Sequence, residues 1–392
     1  MRRLLLHAFL FLTVACRKQP NIVFILADDL EGDWKQNRLD FMPNLHRIIN
    51  KGVSFSEHIS NDPLCGPSRA SLLSGRYPHN HGYRTNLDAP SIAAWRNIQN
   101  NTIGTWLTRA GYHTAYFGKY VNGLENEVPS GWNHYLGFDG ILGTYNYYNA
   151  QQFNVTFDGS GETPTSPIYS QSRSGIHQAD FLGAQAVEEM SIAVSKGRPF
   201  FLHVAPVMIH YGTCEGPYLD VFKYSRADPF WENALQFFGC PNATTNDHCS
   251  MEISPCVSAK NAHFADNLTN PITPAWGAVG SGVIPPEREQ LPPATAYEIE
   301  RQNIGFRNRT GSSRDFDDML GTILDGIDAL GLTEETLVIV TSDNVSVCVC
   351  VCVCVCVCAC IYVCVAHRSH HPTLTPYTCD TNSCDCFFRA TI

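Results

Sequence analysis

Asn21-Ile-Val-Phe-Ile-Leu-Ala27, followed by Asp28 and Asp29, carries the architecture. A half-exposed strand would alternate apolar and polar residues, and this run does not. It suits a strand buried on both faces. Leu337-Val-Ile-Val-Thr341 repeats the pattern near the other end and delivers Asp343 and Asn344 at the same relative place. Tyr112–Phe117 and Pro199–Ala205 read as further strands. Helices are predicted between them. Pro43–Asn50 has Pro near its start and Gly52 past its end, and Thr102–Ala110 is closed by Gly111. His177–Ser195 is a long helical stretch, and residues 314–330 line up Phe316, Leu320, Ile323, Leu324, Ile327 and Leu330 on one face before Gly331. Strands alternating with helices predict an α/β fold with a mostly parallel central sheet and helices on both faces. Ligands of such sheets gather outside the carboxyl ends of the strands. Asp28, Asp29, Asp343 and Asn344 are therefore expected on one rim. Oxygen ligands of this kind suit Ca²⁺ or Mg²⁺ rather than zinc.

The flanks read differently. Arg2 and Arg3 precede the apolar run Leu4–Ala15, which is closed by small residues. That order marks residues 1–15 as a secretory signal peptide, too short to span a membrane. Sequons at Asn100, Asn154, Asn242, Asn267 and Asn308 agree with export and N-glycosylation. The expected location is the secretory pathway, ending outside the cell, in the wall or in the lysosome. A net charge of −10 argues against a nucleic-acid partner. Of 17 cysteines, eleven lie at or after Cys348. Cys214, Cys240, Cys249 and Cys256 cluster in a Pro- and Asn-rich stretch, 211–300, that lacks periodicity and reads as a surface insertion with its own disulfides. Three pairings of those four are open. Cys65 is left without a partner.

From Val347 to Cys358 valine and cysteine alternate without a break. A GT dinucleotide repeat encodes Val-Cys in either register, and Val345-Ser346 fits GTG-AGT, the usual start of an intron. Residues 345–392 are therefore read as intron read-through after Asn344. A competing reading makes the uncharged stretch 345–365 a membrane anchor.

The second chemical feature is Cys65-Gly-Pro-Ser-Arg-Ala-Ser-Leu-Leu-Ser-Gly-Arg76. Pro67 suits the first turn of a helix, which places Cys65 just before a helix N-terminus. Free N–H groups and the helix dipole favour an anion there, and Arg69 adds a charged fork for sulfate or phosphate.

The pattern Cys-x-Pro-Ser-Arg-x-x-x-Leu-x-Gly-Arg closely resembles the signature of the type I sulfatases, in the alkaline-phosphatase superfamily. Ser74 stands where that family usually has Thr. The resemblance covers residues 20–344 as one catalytic domain. It includes Ile25–Asp29, Met42-Pro-Asn-Leu45, Gly118-Lys-Tyr120 and Thr341-Ser-Asp-Asn344. Arg76-Tyr-Pro-His-Asn-His-Gly82 and the stretch Trp132–Tyr148 look most like N-acetylglucosamine-6-sulfatases and the arylsulfatases of fungi and algae.

The resemblance implies that Cys65 is oxidised to formylglycine by a formylglycine-generating enzyme. A thiolate attacking sulfur would leave a stable thiosulfate ester. A hydrated aldehyde attacks through one hydroxyl and expels sulfate through the other. Asp28, Asp29, Asp343, Asn344 and the modified Cys65 would bind one metal ion, usually Ca²⁺. Arg69 would hold the formylglycine, Lys119 would bind sulfate, and His210 would contact sulfate or protonate the leaving alcohol. Many sulfatases carry His two residues after the Lys; here it is Val121. His79 and His81 read as loop residues.

The implied activity is sulfuric ester hydrolysis on a 6-O-sulfated glucosamine or an aryl sulfate. A phosphodiesterase or phosphonate hydrolase of the same superfamily is the alternative within enzymes, and a non-catalytic membrane-anchored fragment the alternative outside them. The family's Gly after the Asp-Asn pair, its later active-site Lys and its small C-terminal subdomain are not recognisable in 345–392. The chain as written is expected to be inactive or unstable.

Overall fold

The computed structural model describes residues 19–30, 41–55, 58–86, 88–124, 127–138, 152–156, 169–170, 176–210, 258, 260–261, 296–344 and 363–366. Strands β1 (Asn21–Ala27), β2 (Gly52–Phe55), β3 (His113–Gly118), β4 (His134–Phe138), β5 (Gln152–Thr156), β6 (Tyr169–Ser170), β7 (Phe200–Ala205), β8 (Thr336–Ser342) and β9 (Val363–Ala366) form one sheet in the order β2-β9-β8-β1-β7-β3-β4-β5-β6. The five strands β8-β1-β7-β3-β4 are parallel throughout. β5 and β6 extend them antiparallel, and β9 pairs antiparallel with both β8 and β2. The predicted strands are thus present, at the core of a mostly parallel sheet.

The helices are α1 (Pro43–Lys51), α2 (Cys65–Ser74), α3 (Pro78–His81), α4 (Ala89–Arg96), α5 (Ile103–Arg109), α6 (Gln178–Ser195) and α7 (Ala296–Ala329). They cover both faces, and β1 shows why its sequence is apolar without alternation. Val23, Ile25 and Ala27 pack into one core with Leu182, Ala186 and Met190 of α6 and Phe316, Leu320 and Ile323 of α7. Leu26 packs into the other, with Ala70 and Leu73 of α2, Trp95 of α4 and an aromatic group of Tyr116, Tyr120, Trp132 and Tyr135. Ile22 and Phe24 back that second face. Each residue of the strand is removed from water on whichever side it points.

Two expectations need correction. Helix α7 starts at Ala296, so the region expected to be an irregular insertion up to residue 300 ends earlier, and the helix predicted from 314 is much longer. Polar residues on the N-terminal part of that helix hid its period. Cys65 is the first residue of α2 and does not precede it, because Leu64 takes the extended cap conformation (φ −128°, ψ 135°). Pro67 still falls in the first turn, where a missing N–H costs nothing. Cys214, Cys240, Cys249 and Cys256 lie outside the described residues, as do residues 1–15 and the alternating run 347–358. Among the described residues, no helix is long and apolar enough to cross a membrane.

Candidate active site

The carboxyl ends of β1, β3, β7 and β8 meet at one point, and the N-terminus of α2 closes it. Backbone hydrogen bonds set the positions. Asp343 N–H donates to the Ala27 carbonyl (3.1 Å), Asp28 N–H to the Met208 carbonyl (3.1 Å), and Lys119 N–H to the Ala205 carbonyl (2.8 Å). These continue the parallel pairing just past the strands, so each functional side chain leaves its strand at the same level. Asp29 follows in the left-handed conformation (φ 58°), uncommon for a residue with a Cβ. Its N–H donates to Asp343 Oδ1 (3.3 Å), and Leu30 N–H donates to Ser342 Oγ (2.9 Å).

The residues predicted for catalysis and metal binding lie together here. Carboxylate oxygens of Asp28 and Asp29 and the Cys65 sulfur lie within 4.8 Å of one another. Asn344 Nδ2 donates to Cys65 Sγ (3.3 Å), and Cys65 Sγ is 3.8 Å from Asp28 Oδ1. Arg69, almost fully buried, reaches three strand ends at once. Nε donates to Asp343 Oδ2 (2.8 Å), Nη1 donates to the Lys119 carbonyl (2.9 Å), and Nη2 stands 3.4 Å from Asp28 Oδ1. Lys119 Nζ donates to Asp28 Oδ2 (2.6 Å). His210 Nε2 is 3.7 Å from Asp29 Oδ2.

The electrostatics follow from burial. Burial pushes the Asp28 carboxyl up, but Lys119, His210 and Arg69 outweigh it and hold it well below the usual range. Asp29 goes the other way: burial, Asp28 and Asp343 push its carboxyl well up. Burial also lifts Asp343 to about 6, despite Arg69. Two of three carboxylates thus resist ionisation, chiefly through burial, even with Arg69 and Lys119 beside them. A divalent cation among them would favour their ionised forms, and oxygen donors are what a hard cation takes. The residues present fit such an ion. The thiol fits less well, since sulfur is a soft ligand. Burial raises the Cys65 thiol strongly, and the neighbouring carboxylates add to it, so an unmodified Cys65 is a poor nucleophile here.

Other residues were not legible as site residues. Ser60 and Ser68 hydroxyls both donate to the Asp343 carbonyl. Asn86 Oδ1 accepts from Gly66 N–H (2.9 Å), and a Cβ at Gly66 would lie 2.4 Å from that oxygen and 2.5 Å from Tyr83 Cε1. Only glycine fits beside Cys65. Arg309 donates to the Asp29 carbonyl. Its one sequence signal was its place seven residues before Phe316, a charge on an otherwise buried helical stripe. Neither His79 nor His81 is a loop residue, since both lie in α3, and His81 Nε2 bonds Ser71 Oγ (2.9 Å), joining α3 to α2.

Fold and site together define an α/β protein that collects buried carboxylates, a cysteine and a helix N-terminus at the carboxyl edge of its sheet. A family model described as Sulfatase matches residues 20–348, and the chain belongs to that family. It is 27% identical over 357 residues to an arylsulfatase of Volvox carteri, covering 87% of this chain and 49% of that protein. It is 26% identical over 347 residues to the N-acetylglucosamine-6-sulfatase of Homo sapiens, covering 85% and 52%. The chain spans about half the length of the curated relatives it matches. Among solved structures, one in complex with its substrate D-glucosamine-2-N,6-O-disulfate is similar at a TM-score of 0.56 and 18% identity, covering 89% of this chain and 71% of that one.

Proposed function

We propose that this chain is the catalytic part of an exported sulfuric ester hydrolase, with formylglycine at position 65 and one Ca²⁺ held by Asp28, Asp29, Asp343 and Asn344. The observation that carries the reading is the convergence of these four residues with Cys65, Arg69 and Lys119 on one buried rim. When bound, the ion would polarise the sulfate oxygens, and the converted Cys65 would supply the hydroxyl that attacks sulfur. The chain's own residues do the rest. Arg69 holds Asp343 and the end of β3 in register with Cys65. Lys119 brings its ammonium to the sulfate, countering the charge of the transferring group. His210 stands across Asp29 to deliver a proton from Nε2 to the leaving oxygen. The N-terminus of α2 adds the positive end of its dipole beside position 65.

A sulfated glucosamine is the favoured substrate class, with aryl sulfate second. The support is the human relative's name and the glucosamine disulfate bound in the similar structure. Export rests on residues 1–15 and the sequons, and a Drosophila melanogaster relative, 37% identical over 150 residues, is named an extracellular sulfatase. Asn100 is exposed, as a glycan acceptor must be, whereas Asn308 lies on α7. Asn154 lies on β5, and Asn242 and Asn267 lie outside the described residues. The catalytic domain is assigned to 20–344, with 211–295 as its insertion and 345–392 as intron read-through. The family match stops at residue 348, as the Val-Cys alternation begins.

The test has two parts. The chain is co-expressed with a formylglycine-generating enzyme, and the Cys65 peptide is examined by mass spectrometry for exchange of sulfur for oxygen. Sulfate release is then compared with phosphate release on matched esters of glucosamine and a phenol, beside the product of a transcript crossing the Asn344 codon. Sulfate release by the transcript product, lost in Cys65→Ala, is expected. Preference for phosphate esters would transfer the assignment to the phosphodiesterase reading, strong sulfate release by the 392-residue chain would refute its expected inactivity, and peptides covering the Val-Cys run would refute read-through.

A further inference from the structure

The pairing between β1 and the segment after β7 ends one step short of the residues that matter. Asp28 N–H donates to Met208 O, and Ile209 N–H donates back to Asp28 O (2.8 Å). Beyond that, Asp29 turns left-handed and its carbonyl leaves the ladder. The guanidinium of Arg309, from α7, takes over. Nη2 donates to the Asp29 carbonyl at 2.8 Å, and Nη1 reaches the Ile209 carbonyl at 3.5 Å. The turn of α7 that carries it is fixed in turn, since Ser313 Oγ donates to the Arg309 carbonyl (2.8 Å) and Thr310 and Ser312 are buried. A planar fork spans two separate carbonyls as a single ammonium does not. One carbonyl belongs to Asp29; the other precedes His210.

We propose that Arg309 is a positioning residue: it clamps the left-handed turn of Asp29 to the segment bearing His210, and so aims the Asp29 carboxylate at a divalent cation. This rests on the metal reading above.

A cation beside three carboxylates could serve by charge alone, and the two roles have opposite signs. A fixed positive charge repels a bound divalent cation, so deleting it strengthens binding if charge is the whole role. Deleting a clamp weakens binding, because Asp29 is no longer held in its left-handed turn, which residues with a Cβ adopt uncommonly.

The full chain, Arg309→Gln and Arg309→Lys are compared in two measurements. Without metal, amide hydrogen exchange should show loss of protection at residues 28–30 and 207–210 in both variants, with β3 and β8 unchanged. In Ca²⁺ titrations by calorimetry, both variants should bind about 10–100-fold more weakly, the usual cost of losing an outer-shell partner. Unchanged exchange overturns the clamp. So does Ca²⁺ affinity in Arg309→Gln that is equal or tighter, or Arg309→Lys behaving as the native chain. If the native chain takes up no Ca²⁺, the metal reading fails, and hydrogen exchange alone judges the clamp. If Arg309→Gln does not fold, Arg309→Lys carries both readouts.

Discussion

Arg69 concentrates more of the site in one side chain than any ligand does. It donates to Asp343 and to the Lys119 carbonyl and faces Asp28, so the ends of β8, β3 and β1 share one guanidinium. Burial alone would weaken its charge, but Asp343 and Asp28 reverse that and raise its pKa. Lysine at this position keeps the charge and loses the fork. In the formylglycine-bearing enzyme, Arg69→Lys is expected to lower kcat about 10²-fold or more, with a smaller change in KM. Steady-state kinetics on an aryl sulfate checks it. A kcat within threefold of the native value would mean that charge suffices.

At the scale of elements, α1 lacks a cap of its own. Met42 offers no side-chain hydrogen bond to the helix, yet its first N–H groups are not left bare. Asp317 of α7 accepts from Asn44 N–H (3.0 Å) and Leu45 N–H (2.8 Å), and Asn44 Nδ2 donates to the Asp317 carbonyl. A carboxylate at a helix N-terminus also meets the positive end of its dipole. This explains why Met42-Pro-Asn-Leu45 reads as a motif without touching the catalytic rim: it is one half of a helix-to-helix joint. Asp317→Ala leaves buried N–H groups without an acceptor and is expected to cost about 1–3 kcal/mol. Thermal or urea unfolding measures it, and Asp317→Asn should recover part of the loss. Helix α2 shows the opposite economy. It is buried almost throughout, and Ser71 and Ser74 hydroxyls turn back to the carbonyls of Pro67 and Ala70, so small polar residues pack where larger ones would not.

For the whole molecule, acid is the sensitive direction at the buried histidines. His203 lies among Phe24, Tyr116, Trp132 and Phe201, and neither ring nitrogen has a hydrogen-bond partner among the described residues. Burial, aided by the charge of Arg69, lowers its pKa to about 3. Burial lowers His177 to about 4, against a small opposing pull from Asp180. Unfolded histidine titrates near 6.5. Each of these groups therefore contributes stability that is fully present above pH ~6.5 and is lost as pH falls toward the folded value, by about 1.4 kcal/mol per pH unit per group. Asp343, raised to about 6, works in the opposite sense over part of the same window. A comparison isolates the histidine: the stability of His203→Leu relative to the native chain should rise by about 1.4 kcal/mol for each pH unit between 6 and 4. Urea denaturation at pH 6, 5 and 4 measures this. A difference independent of pH would show that His203 is protonated in the fold.

The fold class was legible because buried parallel strands need apolar residues on both faces, and β1 and β8 state that need in their own sequence. The meeting of Asp28, Asp29, Asp343 and Asn344 on one rim was legible for the same reason, since they directly follow those strands. Cys65, Arg69 and Lys119 were legible through resemblance to a motif, and the structure then placed them together. Local sequence had no means of stating contacts between residues far apart in the chain. Asp317 capping α1, Asn86 closing over Gly66 and Arg309 reaching Asp29 depend on helices packed against a completed sheet. Hydrogen bonds of that range carry no periodicity, so only the tertiary structure decided them.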